Sequence, residues 1–239
     1  MIKSLQQKKY RDSEGLFLVE GLKSVSEAIE SRADLRLLVY CGEATDLPFT
    51  LPQGSIQCSE RELKQLSALK QPNRVLAVCA KPNFASSKKT DSFRFALDAV
   101  SDPGNLGTII RLCDWFGLEE LICGRGCVDP FNPKTVQASM GSIFRVHVRQ
   151  VDLEKWLRDE AAECSIAAAD MEGESLYDLN SPRPQVVILG SEAHGLSDPL
   201  RRMVNRKVSI PRVGRAESLN VASAAAIIAG HLLQPSNKQ

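Results

Sequence analysis

No stretch of this chain approaches the roughly 20 consecutive apolar residues that a membrane-spanning helix needs. Its opening, Met-Ile-Lys-Ser-Leu-Gln-Gln-Lys-Lys-Tyr, has no signal-peptide apolar core. Both absences lead to the expectation of a cytoplasmic protein with no membrane partner. Metal ligation is poorly provided for. Seven cysteines stand at 41, 58, 79, 113, 123, 127 and 164, and none forms a Cys-x-x-Cys pair. Cys123 and Cys127 have neither a histidine nor a second pair nearby, so no tetrahedral metal site is expected. Most of the cysteines lie among apolar neighbours, as Cys79 does in Val-Leu-Ala-Val-Cys-Ala, and read as reduced core residues.

Fingerprints of several enzyme classes are missing too. Gly104 and Gly107 make only Gly-x-x-Gly, and Gly124-Arg-Gly126 is followed by Asp129 where a third glycine would fall. There is no Gly-x-Gly-x-x-Gly, no phosphate-binding Gly-x-x-x-x-Gly-Lys-[Ser/Thr] and no Gly-x-Ser-x-Gly elbow. Hydride transfer on a dinucleotide fold and serine hydrolysis are therefore disfavoured.

What is present is 239 residues, 43% hydrophobic and 25% charged, enough for one large domain or two modest ones, each with its own core. The net charge is only +1. Its distribution is uneven: Arg201, Arg202, Arg206, Lys207, Arg212 and Arg215 fall in a stretch with no acid, and Lys8, Lys9 and Arg11 cluster near the start. Either cluster alone reads as a solvated face.

The segment from Lys81 to Ser92 is polar, small-residued and without apolar period, which places a linker at 83–92 between units at 1–82 and 93–239. Before it, strands are expected at 16–19, 35–40 and 74–80, a helical face around Val25, Ala28 and Ile29, and a helix over 60–69. After it, strands at 94–100, 121–123, 144–148, 166–169, 186–189 and 208–210 alternate with helices over 106–116, 133–140, 153–164 and 219–233. Such alternation implies an α/β fold, a parallel sheet with helices on both faces.

In open α/β sheets ligands bind at the carboxyl ends of strands. Three strand-to-helix turns there are unusual: Ser101-Asp-Pro-Gly-Asn-Leu-Gly107 with Arg111 following, Gly190-Ser-Glu-Ala-His-Gly195, and Ile210-Pro-Arg-Val-Gly-Arg-Ala-Glu-Ser-Leu-Asn220. Taken singly each has a plain explanation, such as Asn105 or Ser218 capping a helix. Together they resemble, in order and spacing, the three motifs of the SpoU (TrmH-like) branch of the SPOUT methyltransferases. Motif one stands as Asn105 with Arg111 six residues on, ending in Phe116-Gly117. Motif two is Leu189-Gly-Ser-Glu192-Ala-His-Gly195-Leu196. Motif three is Ile210-Pro-Arg-Val-Gly214-Arg-Ala-Glu-Ser218-Leu219-Asn220-Val221. The likeness covers about 94–234. Leu16-Phe-Leu-Val-Glu-Gly-Leu-Lys23 resembles, more weakly, the opening of that family's L30e-like RNA-recognition domain.

The resemblance implies a C-terminal trefoil knot, a homodimer that completes the site, and methyl transfer from S-adenosylmethionine to a ribose 2′-hydroxyl of structured RNA, with rRNA favoured over tRNA. It implies that Leu189, Gly190, Glu192, Gly195, Ile210, Pro211, Ser218 and Leu219 hold the methyl donor. Asn105, Arg111, Glu192, Ser218 and Asn220 would carry the chemistry, without a metal. Phosphates would meet Lys8, Lys9, Arg11, Lys23, Arg212 and Arg215. Arg111 is the family's assigned activator of the hydroxyl, yet a guanidinium of pKa above about 12 is a poor base. It either acts as a base in a dry site or anchors a phosphate while another group takes the proton. His194 stands where the family varies and receives no role, while Ala193 stands where the family frequently has glycine, a mild departure that bears on loop geometry more than on activity. The late helix Val221-Ala-Ser-Ala-Ala-Ala-Ile-Ile-Ala-Gly230 suits either a subunit interface or burial within one chain. Two other functions remain: a module that holds RNA without chemistry, and a nucleotide-dependent oxidoreductase.

Overall fold

A computed structural model describes residues 1–69, 71, 73–84, 93–179, 182–191 and 194–233. The N-terminal unit runs α1 (Lys8–Glu14), β1 (Leu16–Glu20), α2 (Leu22–Glu30), β2 (Leu35–Tyr40), β3 (Ile56–Gln57), α3 (Glu60–Leu66) and β4 (Val75–Ala80). Its sheet has the order β1-β4-β2-β3, antiparallel except for β2 with β3. The larger unit follows with β5 (Arg94–Leu97), α4 (Pro103–Trp115), β6 (Glu120–Cys123), α5 (Pro133–Ser139), β7 (His147–Gln150), α6 (Leu153–Asp159), β8 (Ile166–Ser175), β9 (Val186–Leu189), α7 (Asp198–Met203), β10 (Lys207–Ser209) and α8 (Val221–Leu232). Its six strands are all parallel, in the order β10-β8-β9-β5-β6-β7. Among the described residues no helix is long and apolar enough to cross a membrane.

Strands β5, β6 and β9 are buried at every position, as near-continuous apolar runs inside a parallel sheet should be. Successive side chains point to opposite faces. Phe95, Leu97, Val187 and Leu189 join one apolar cluster, while Ala96, Val186 and Ile188 join another with Trp156 and Leu157. Helix α4 starts three residues before the apolar pattern does. Pro103 suits the first helical position, and the Asp102 carboxylate caps by accepting the Asn105 N–H at 2.8 Å.

Each unit has an apolar cluster of its own, around Leu18 and Val78 in the first and around Ile188 and Trp156 in the second, but the two are joined. One apolar cluster runs through both units, from Phe17, Val19, Leu38 and Cys79 to Phe95, Ile110, Val136 and Ile143. The Phe17 ring lies 4.9 Å from Phe131 and 5.9 Å from Phe144, centroid to centroid. Beside them Arg11, expected at the surface to meet phosphate, is 2% exposed. Its Nε and Nη2 donate to Asp129 Oδ2 at 2.9 and 2.6 Å, and its Nη1 donates to the Leu5 and Gln6 carbonyls at 2.8 Å. Those bonds hold the guanidinium inside the joint between units, so Arg11 is a structural tie here and not a phosphate contact. The surrounding helix α1 has no apolar period to announce it. Its inward face is made by this buried cation.

A second tie sits on the other side of Phe144. Arg145 donates to Asp114 and Glu27, each at 2.8 Å. Gly141 has φ +91°, and a Cβ there would stand 2.4 Å from that of Glu27. The expected strand over 144–148 is displaced accordingly: residues Ser142–Phe144 form a helical turn that presents Arg145, and pairing begins only at His147. Phe84 stacks on His147 at 4.9 Å, so the expected linker begins docked on the larger unit. Its remainder, 85–92, lies outside the described residues.

Removing one partner of a buried ion pair strands the other charge, at a cost of about 3–5 kcal/mol. Arg11→Met should lower the urea midpoint accordingly, and Arg11→Met with Asp129→Leu should recover most of the loss. Wild-type behaviour of the single variant would dismiss the tie. Asp114 is partly buried, which raises its pKa, but hydrogen bonds from Arg145 and Ser142 outweigh that and depress it. A depressed carboxylate contributes stability above its unfolded value of about 3.9, lost as pH falls through the lower folded value. The stability gap between wild type and Arg145→Gln should thus narrow from neutral pH to about pH 2, and a pH-independent gap would contradict the pairing.

Candidate active site

With the strands parallel and β10, β8, β9 and β5 side by side, the turns that leave their carboxyl ends lie along one edge. The turn after β9 closes on itself. Ser191 and Gly195 exchange backbone hydrogen bonds at 3.1 and 2.9 Å, and the Ser191 hydroxyl accepts from the His194 N–H at 3.2 Å. Gly190 is required by this closure, because a Cβ there would fall 2.2 Å from the Gly195 carbonyl carbon. The turn is tied to β5 through Asp98, a buried carboxylate whose Oδ2 accepts the Ser197 N–H at 2.7 Å. Arg201 of α7 donates to the His194 carbonyl at 3.1 Å.

After β10, residues 211–220 are all exposed and arch over the edge of the sheet. Val213 is fully exposed and Leu219 is 49% exposed. The arch returns at Asn220, whose Oδ1 caps α8 by accepting the Ala222 N–H at 2.9 Å. Its Nδ2 donates to Asn105 Oδ1 at 2.8 Å, across 115 residues of chain. One side chain thus joins the third turn to the first.

Between the second and third turns lies a cavity of about 590 Å³. Leu189, Gly190, Gly195, Ile210, Pro211, Ser218 and Leu219, seven of the residues expected to hold a ligand, line it. Glu192 and Ala193 lie outside the described residues. Asn105 and Asn220 meet beside it through their mutual bond. Arg111 does not line it. That side chain projects from the exposed stripe of α4 with Thr108 and Trp115, the last 83% exposed, and makes no hydrogen bond or ion pair among the described residues. Gly214 faces open space, so nothing among the described residues demands glycine there.

Among the surface cations, Lys8 is paired with Asp12 at 2.8 Å, and Arg212 curls the arch by donating to the Ala216 carbonyl at 3.2 Å. Lys9, Lys23 and Arg215 are exposed. Helix α8 buries Ala222, Ala225 and Ala229 and packs on α4 of the same chain, which accounts for its small residues. Among the described residues no group of histidines, cysteines and carboxylates is placed to hold a metal.

One wall of the cavity escaped the sequence analysis. Strand β8 pairs Ala168 with Lys207 but Glu174 with Val208, so residues 169–173 bulge outward. Ala169, Asp170 and Met171 from this bulge line the cavity with Arg201. The Glu172 N–H, aided by Lys207 at 3.0 Å, holds the Asp170 carboxyl below its usual range. Apolar walls flanked by backbone groups, an anion and a guanidinium suit a ligand that is part heterocycle and part zwitterion.

Comparison with known proteins agrees with this arrangement. Residues 92–230 match the model of the SpoU rRNA methylase family, and residues 1–77 match that of an MRM3-like substrate-binding domain. The chain is 34% identical over 237 residues to the 23S rRNA (guanosine(2553)-2′-O)-methyltransferase RlmP of Bacillus subtilis, covering 96% of this chain and 93% of that one. It superposes on the SpoU methyltransferase AviRb from Streptomyces viridochromogenes, solved with AdoMet, with a TM-score of 0.83, 28% identity, and coverage of 97% and 95%. The AdoMet-bound rRNA methyltransferase from Sinorhizobium meliloti gives 0.81, 29% identity, and coverage of 97% and 92%.

Loss of a side-chain helix cap costs about 1 kcal/mol. Asn220→Ala should cost about that much by urea unfolding, whereas Asn220→Asp keeps the cap and loses only the donor to Asn105. Equal stability of Asn220→Ala and wild type would mean that the cap is not formed.

Proposed function

The chain belongs to the SpoU rRNA methylase family and is an S-adenosylmethionine-dependent RNA ribose 2′-O-methyltransferase, and we propose that its substrate is a 23S ribosomal RNA. The observation that carries the site assignment is the meeting of the three turns. Asn220 bonds Asn105 beside a cavity lined by Ser218, and its apolar walls with Asp170 and Arg201 suit the methyl donor. The names printed for the relatives support rRNA, as does the match of residues 1–77 to a substrate-binding domain. An rRNA substrate agrees with the cytoplasmic setting expected from the sequence.

In this reading Leu189, Ile210 and Leu219 cover the adenine faces. Backbone groups of Gly190 and Gly195 approach the nucleoside closely, with Pro211 shaping the arch and Ser218 near the sulfur. Glu192 keeps its place in the turn as part of the proposal. The cofactor brings an already activated methyl group. The protein must hold a ribose hydroxyl in line with it and help the hydroxyl proton leave. Asn105 and Asn220 orient one another, and an amide pair of this kind can both donate to and accept from a sugar hydroxyl.

Arg111 lies apart from the cavity of its own chain, and we place it in the site of a second copy. Supporting this are its lack of a partner, the exposed Trp115 one turn on, and the exposed Val213 and Leu219 of the arch. A homodimer would cover these apolar groups and bring a guanidinium to the phosphate beside the target ribose. The C-terminal trefoil knot belongs to the same reading, supported by the return of α8 onto α4 after β10 has joined the sheet edge. Lys8, Lys9, Lys23, Arg212 and Arg215 are the proposed contacts to the RNA backbone.

Purified protein given labelled methyl donor and ribosomal RNA from cells lacking the gene should label one 23S ribose. Arg111→Ala should lower turnover by at least about 100-fold, within the range attributed to positioned acid–base groups, while the donor's Kd stays within about twofold. No label in any rRNA fraction would refute the assignment, and wild-type turnover of Arg111→Ala would remove that residue from the chemistry.

A further inference from the structure

A second cleft, of about 460 Å³, opens where the two units meet, and none of the groups discussed above for catalysis or donor binding fills it. Ala68 and Leu69 of the N-terminal unit form one wall. Pro103 and Gly104 at the start of α4, with Lys134 and Gln137 of α5, form the other. Asp102, which caps α4 with one oxygen, stands at its edge, three residues before Asn105. The cleft therefore adjoins the Asn105–Asn220 contact.

Both walls are held in place. The Glu20 carboxylate, 7% exposed, accepts from the Ser67 hydroxyl and from the Ala68 N–H. Gln6 Nε2 donates to the Leu66 and Ser67 carbonyls at 3.2 Å. The opposite wall is fixed by the capped ends of α4 and α5, where Asn132 accepts the Lys134 N–H at 3.0 Å. Between the walls, the Arg11–Asp129 pair and the shared apolar cluster keep the two units from swinging apart. A volume of this size lies within the range of pockets that enclose small ligands.

Its chemistry is that of a nucleotide site. Leu69 and Pro103 offer apolar surface to a base face. Gln137 and Asp102 line it and are exposed, and their polar side chains can meet base edges. Lys134 has an exposed ammonium with no ion pair among the described residues and can meet a phosphate. We propose that this cleft binds one unstacked nucleotide of the RNA substrate, a near neighbour of the ribose that is methylated, and so helps to select the target. The proposal rests on the RNA methyltransferase reading above.

The test uses the full-length protein and the shortest 23S rRNA fragment that it methylates, with the modified ribose mapped. Single abasic nucleotides are placed at each of the three positions on either side. Base stacking on an aromatic side chain is worth about five- to hundredfold in affinity; on the aliphatic faces of Leu69 and Pro103 the low end applies, so one abasic position should raise the wild-type KM by about fivefold. The Leu69→Ala/Gln137→Ala variant should have lost that penalty, with kcat and donor Kd within about twofold of wild type. Lys134→Ala should reduce the slope of log KM against log salt by about one, as expected for one lost phosphate contact. An abasic penalty undiminished in the double variant overturns the cleft assignment alone. An enzyme that methylates no rRNA fragment overturns the reading beneath it as well.

Discussion

A single amide–amide hydrogen bond, from Asn220 to Asn105, fixes how this chain makes a site from distant parts of itself. It works only because six parallel strands bring the turns after β5, β9 and β10 to one edge. Each turn is then stiffened locally: an Asp cap on α4, a closed Ser191–Gly195 turn, an Asn cap on α8. Asn220 does two things at once. Its oxygen ends the arch and starts a helix, while its nitrogen reaches the other loop. Positioning of this kind is what in-line group transfer requires.

The second constraint is the joint between the units. A separate recognition domain on a flexible tether would let substrate and chemistry find each other by diffusion. Here a buried cation, three aromatic rings and a two-carboxylate clamp on Arg145 make the two sheets share one core. The placement of the two sheets relative to one another is therefore a property of the fold.

The three turns were legible in the sequence because together, in order and spacing, they resemble one family's motifs, and because β5 and β9 are apolar enough to be recognised as buried strands. What stayed hidden depends on partners far away in the chain. Arg11 looked like a surface base because its carboxylate lies 118 residues on. Helix α1 was missed for the same reason. The bulge at 169–173 reads as the end of a short strand, since its register shift exists only against β10. Residues 144–148 have strand composition, yet Arg145 is drawn away by Asp114 and Glu27 before pairing can begin. Arg111 follows Asn105 by six residues as a sequence pattern, while its position relative to the cavity is a matter of three-dimensional packing.

Hydrogen exchange with and without S-adenosylmethionine tests the central claim most directly. The account predicts slowed amides in two separated windows, 189–196 and 210–221, with little change over the N-terminal sheet. Protection confined to one window, or spread over residues outside both, would show that the turns do not close together on one ligand.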